Sequence, residues 1–74
     1  MALDAENIFT YHAPFGNQAA RYEGIRKFAR AFADDILKWT PASPEQTLAI
    51  RKLQEVVMYA NAAIAINERE NRND

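Results

Sequence analysis

Residues 44–67 read as one helix that is apolar on two nearly opposed sides, and this limits what the chain can become. On a wheel of about 100° per residue with Leu53 at zero, Ala49, Ile50, Val56, Val57, Ala60 and Ile64 cluster within about 60°. Leu48, Tyr59, Ala62 and Ile66 lie at roughly 180–240°, with Met58 beside them. A single neighbouring helix covers one of these faces. The other requires the N-terminal arm or another protomer, because contiguous apolar surface is costly to leave in water. At a helical rise of 1.5 Å per residue the element is about 36 Å long, enough to act as a spine for subunit contacts.

The neighbour is upstream. From Gln18 to Trp39, with Ile25 at zero, Tyr22, Phe28, Ala29, Phe32, Ile36 and Trp39 fall within about 60°. Glu23 with Lys27 and Arg30 with Asp34 are favourable i,i+4 pairs away from that stripe. Gly24 lowers helix propensity by roughly 1 kcal/mol relative to alanine; it either lets a partner backbone approach or is simply tolerated. Pro41 disfavours helical geometry at Thr40, and Ser43-Pro44-Glu45-Gln46 restarts a helix. Ser43 is the N-cap, Pro44 sits at N1, and Gln46 at N3 is placed to reach back to the Ser43 amide. So short a link implies antiparallel packing. The expected fold is all-α: a helical hairpin over 18–68, an N-terminal arm or short helix over 1–17, and a polar tail over 69–74. In the arm, Asp4 is placed to cap a turn over Ala5 to Ile8. The run Ile8 to Gly16 holds three aromatics, a proline and a glycine, and reads as extended. The tail from Glu68 onward is almost wholly polar and is expected to fray.

Seventy-four residues form one domain, and a chain this short buries only about 60% of its unfolded surface. Its core is therefore marginal without partners, and assembly into a compact homo-oligomer is expected. Cysteine is absent, which removes disulfides and thiolate metal sites and fits a reducing compartment. The opening MALDAENIF carries two carboxylates and no basic charge, unlike a secretory signal, and no apolar run approaches the roughly 20 residues that span a bilayer. These features place the chain in the cytoplasm, away from membranes. Nine basic and ten acidic side chains give a formal charge of −1, which argues against a DNA or RNA binder that must neutralise an extended phosphate backbone.

Few residues invite chemistry. His12 is the single histidine, and a metal normally needs three or four ligands at defined spacing, so neither metal nor cofactor is expected. Asp34-Asp35 reads as a solvated face. No glycine-rich phosphate loop or nucleophile elbow occurs, so an enzyme is not expected and no catalytic residue is assigned. The basic residues Arg26, Lys27 and Arg30 project beside the apolar stripe, and Arg26–Arg30 is a like-charge i,i+4 pair. Either a phosphate compensates it, for which the arginine fork is suited, or Asp34 and water do. Tyr11 is placed to stack on a nucleobase, and His12 to donate to a base or phosphate. Alternatively, Tyr11 and Phe9 staple the arm to the second helix. Trp39 continues the apolar stripe as core or interface. Asn61 and Asn67 interrupt the second helix near its apolar arcs, as hydrogen-bonding, register or ligand-contacting groups.

The segments Thr10-Tyr11-His12-Ala13-Pro14, Arg21-Tyr22-Glu23 with Ile25-Arg26, Leu48 to Leu53, and Met58-Tyr59-Ala60-Asn61-Ala62-Ala63-Ile64-Ala65 follow in a specific order and spacing. In this the chain resembles the phage anti-CBASS sponges, a family that shares its hairpin domain with sponges countering Thoeris signalling. The resemblance covers roughly residues 8–68. It implies a homo-oligomer, a trimer of dimers, with cyclic dinucleotides such as 3′,3′-cGAMP bound at subunit junctions and cyclic trinucleotides in separate pockets of some members. Such proteins sequester, intact, the messenger of a bacterial CD-NTase in the cytoplasm of the infected host. By the same resemblance Tyr11 would stack on a base, His12 and Pro14 would shape the same wall, and Arg26 would meet a phosphate. Lys27 and Arg30 join Arg26 on geometric grounds alone. Asn67 and Arg69 would serve a second, trinucleotide pocket, although Ile66 stands where relatives carry a basic residue, which weakens the case for that pocket. Tyr59 replaces a tryptophan common in the family. The rival readings are a helical structural or protein-interaction module and a phosphodiesterase that destroys the messenger.

Overall fold

The break between the two periodic stretches dictates the topology. In the computed structural model, which describes residues 3–68, three helices occur: α1 (Ala5–Phe9), α2 (Gln18–Trp39) and α3 (Pro44–Asn67). Thr40 adopts extended backbone angles (φ −126°, ψ 151°), as a residue before proline must, and its N–H donates to the Ile36 carbonyl at 3.1 Å. Ser43 is likewise extended, and its Oγ accepts from the Gln46 amide at 3.1 Å, capping α3 with Pro44 in the first turn. The expected reciprocal bond from Gln46 to the Ser43 amide is replaced. Gln46 Nε2 instead donates to both the carbonyl and the Oγ1 of Thr40 at 3.0 Å. The last carbonyls of α2 lack intrahelical donors, so the glutamine amide meets a need across the link and splices the two helix ends.

The two long helices pack against each other as an all-α antiparallel hairpin, with no strand among the described residues. Ile25, Ala29 and Ile36 of α2 and Leu53, Val57, Ala60 and Ile64 of α3 are half-buried along this seam. None is fully buried. Among the described residues no hydrophobic side chain reaches full burial, and Gln18, 3% exposed, is the one buried residue. The radius of gyration is 15.7 Å, against about 11 Å for a compact chain of this length. The stripe on α2 is wider than α3 can cover: Phe28 remains 82% exposed, and Phe32 and Trp39 are exposed with it. A groove of about 600 Å³ runs between the helices, lined by Ile25, Phe28, Phe32, Val56 and Val57. Gly24 also lines it, and no atom lies within 4 Å of where its Cβ would stand, so nothing within one chain requires glycine there. The second face of α3 leaves Leu48, Met58 and Tyr59 exposed.

The arm folds back over the C-terminal end of α3. Asp4 caps α1 by accepting from the Asn7 amide at 3.1 Å, and Thr10 Oγ1 closes the helix by donating to the Glu6 carbonyl. The turn expected over Ala5 to Ile8 forms, and Phe9, expected to be extended, joins it, because the aspartate cap and the threonine closure carry the helix one residue beyond Ile8. From Thr10 to Phe15 the backbone is irregular, and Gly16 takes φ +57°, the left-handed conformation that glycine adopts without strain, to turn the chain into α2.

Candidate functional site

The arm pocket is assembled from three short tethers. Asn7 Nδ2 donates to the Ile66 carbonyl at 2.9 Å, which seats α1 against the last turn of α3. His12 Nε2 donates to the Asn7 carbonyl at 2.8 Å, folding the loop after α1 back onto it. With Nε2 so occupied, the neutral ring offers Nδ1 as an acceptor. The amide of Phe15 donates to Gln18 Oε1 at 3.2 Å, fixing the orientation of the one buried side chain. Between these tethers lies a half-open pocket of about 280 Å³, lined by residues including Tyr11, His12, Gln18, Ile66 and Glu68.

The rim of that pocket is polarised. Glu68, the residue after α3, accepts two bonds from Arg21, from Nη1 at 2.9 Å and from Nη2 at 2.6 Å, and a third from Gln18 Nε2 at 3.0 Å. These bonds, from Arg21 first and then Gln18, hold the Glu68 carboxyl down at about 2, and Glu68 in turn raises Arg21. The tail expected to fray from Glu68 onward is thus pinned at its first residue. The sequence did hold a signal for this cluster. On the α2 wheel Gln18 and Arg21 fall within about 40° of Ile25, polar groups inside an apolar arc, and such groups need partners.

Tyr11 is 83% exposed and Phe9 is exposed too, so neither staples the arm within the chain. Asn7 and His12 do that instead, which leaves the Tyr11 ring presented at the pocket edge. The basic residues sit elsewhere. Arg26, Lys27 and Arg30 line a shallow, open depression together with Glu23 and Asp34, and it shares no residue with the arm pocket. Lys27 pairs with Glu23 at 3.7 Å and Arg30 with Asp34 at 3.3 Å, both in water, where such pairs are weak. Arg26 makes no ion pair among the described residues, and beside it Arg30 pairs with Asp34 in water. Pro14 is exposed and lines neither cavity. Asn67 turns back on its own helix, with Nδ2 donating to the Ala63 carbonyl at 3.1 Å, and Arg69 lies outside the described residues. Ile66 lines the arm pocket, and its carbonyl anchors Asn7. No group of three or more His, Cys, Asp or Glu among the described residues could hold a metal ion.

An apolar hairpin with an aromatic-edged pocket at one end and a separate cationic face defines a small helical binding module. The chain belongs to the Acb2/Tad1 hairpin domain family, whose model matches residues 1–65. This is a family of phage anti-CBASS and anti-Thoeris cyclic-oligonucleotide sponges, which are not catalysts. Among curated proteins and among solved structures, none matches the chain significantly.

Proposed function

We propose that the protein is a sponge for cyclic dinucleotides of the 3′,3′-cGAMP type, acting in the cytoplasm of a phage-infected bacterium and releasing its ligand unaltered when unfolded. Copies of the chain assemble as a trimer of dimers. Tyr11, His12 and Pro14 of one copy face Arg26, Lys27 and Arg30 of another across each nucleotide. The observation that carries this reading is that the aromatic and cationic halves occupy separate depressions on one chain. A hairpin that buries no apolar side chain among the described residues leaves its apolar faces for further copies to cover, and junctions between copies are where the two halves can meet. Asn61 Oδ1, enclosed yet without a hydrogen-bond partner among the described residues, supports the same view, since an orphaned acceptor is costly. Asn67 and Arg69 are the candidates for a separate cyclic trinucleotide pocket.

The deciding experiment incubates the protein with 3′,3′-cGAMP, heats it and analyses the supernatant by HPLC. Intact nucleotide is expected, and a linear product would make the protein a phosphodiesterase. In parallel, Tyr11→Ala and Arg26→Ala should lose binding in calorimetry while the oligomer persists. The stacking contact alone is worth roughly 1–3 kcal/mol. The exposed groove along Phe28 and Phe32 favours one other reading, a protein-interaction module. On that reading Tyr11→Ala would leave nucleotide binding undetectable in both forms.

A further inference from the structure

We propose that Arg21 and Gln18 form a cradle for one phosphodiester group, and that Glu68 is an internal stand-in for that group, latching the cradle until a ligand displaces it. The inference rests on the cyclic-dinucleotide reading and extends it to residues that the reading above gives no contact with the nucleotide.

Three N–H donors converge on the Glu68 carboxylate: Arg21 Nη1, Arg21 Nη2 and Gln18 Nε2. A phosphodiester presents two terminal oxygens that share one negative charge, as a carboxylate does, so the arginine fork fits both. The donors are aimed without help from Glu68. Arg21 Nε donates to Asn17 Oδ1 at 3.0 Å, which fixes the guanidinium plane, and the Phe15 amide fixes the buried Gln18 side chain through its Oε1. The cradle therefore keeps its shape when the carboxylate leaves. The Glu68 carboxylate can swing away by side-chain rotation while its backbone stays as the cap of α3, in extended geometry (φ −103°, ψ 135°) with its N–H donating to the Ile64 carbonyl at 3.1 Å. Glu68 and Gln18 line the pocket that Tyr11 and His12 also line, so an anion that replaced the carboxylate would face the same pocket as the tyrosine ring. A carboxylate left in that pocket would repel a phosphate. Displacement resolves the conflict by moving Glu68 into water as the phosphodiester takes its three donors.

A latch of this kind lowers apparent affinity by the fraction of molecules that are open. Removing the stand-in and removing the cradle should then act with opposite signs. Calorimetry with 3′,3′-cGAMP should find Glu68→Gln on the order of tenfold tighter than the unsubstituted protein and Arg21→Gln on the order of tenfold weaker. The double variant should be as weak as Arg21→Gln. If the unsubstituted protein binds and the two single variants weaken binding alike, or leave it unchanged, the pair is a structural clamp and the latch is wrong while the sponge reading stands. If no cyclic dinucleotide binds at all, the sponge reading fails, and dimethyl phosphate decides the cradle on its own. In NMR of Glu68→Gln it should shift the Arg21 Nε–Hε and Gln18 side-chain signals, and unmoved signals would overturn the proposal. A measurement without substitution guards against variants that misfold. On saturation with 3′,3′-cGAMP, or with dimethyl phosphate if no cyclic dinucleotide binds, the Glu68 carboxyl should titrate back near the usual glutamate range, and a carboxyl that stays low in the complex also overturns the latch.

Discussion

Glu68 keeps its charge at acidities where most glutamates have lost theirs, because Arg21 and Gln18 donate three hydrogen bonds to the ionised form. Its pKa is lowered from 4.5 to about 2, so the folded state holds the proton less well than the unfolded chain. The tether's contribution is therefore fully present above about pH 4.5 and is lost as the pH falls toward 2. A carbon-detected NMR titration should place the Glu68 midpoint near 2. An ordinary midpoint would mean that the Arg21 fork is not engaged in solution. The bond from the Phe15 amide to Gln18 Oε1 does not involve Glu68 and should persist through that interval. At this scale the sequence was only partly legible. Gln18 and Arg21 stand out as polar intruders in an apolar arc, yet nothing local names a partner 47 residues away from Arg21. Tyr11 was expected either to stack on a base or to pack the arm. The chain leaves its ring outward, which removes the packing role within one copy.

The helices were legible because their ends are written in neighbouring residues. Pro41 acts on Thr40 through sterics alone, and Ser43 reaches an amide three residues on, so both boundaries of the link follow without knowledge of the fold. The same locality makes the cap a measurable quantity. Ser43→Ala removes the acceptor for the Gln46 amide, and its Oγ donation to the Pro41 carbonyl at 3.0 Å goes with it. A loss of about 1 kcal/mol is expected from urea unfolding at fixed protein concentration. Ser43→Asp should retain most of the stability, since aspartate caps as well and its charge suits the helix N-terminus. An alanine variant as stable as the parent would show that the Gln46 bridge to Thr40 alone secures the link. The arm resisted prediction for the opposite reason. Asn7 grips a carbonyl 59 residues away and His12 grips Asn7, so its path depends on the finished end of α3 rather than on any periodicity.

Across the whole molecule, the two-faced pattern of α3 and the over-wide stripe of α2 have one consequence: the hairpin covers one seam and leaves Phe28, Trp39, Met58 and Tyr59 in water. Burying a side chain of the size of phenylalanine stabilises by about 1.5–3 kcal/mol, and a small domain is stable by only about 5–15 kcal/mol in total. Several such residues left exposed are enough to decide whether the chain folds alone. Stability should then be inseparable from concentration. The melting temperature should rise as the protein is raised from about 1 to 100 µM, and rise again with a ligand that binds only the assembled form. Phe28→Asp separates assembly from folding better than a seam substitution, because at 82% exposure the ring contributes little within one copy. Light scattering should find this variant in a smaller species than the parent. Its melting temperature should fall well below that of the parent at high concentration, where assembly stabilises the parent most, and the two should converge on dilution. A parent chain that runs as a single copy, with one melting temperature across that range, would mean the exposed rings serve something other than self-association. The aromatic and cationic depressions would then have no means of facing each other.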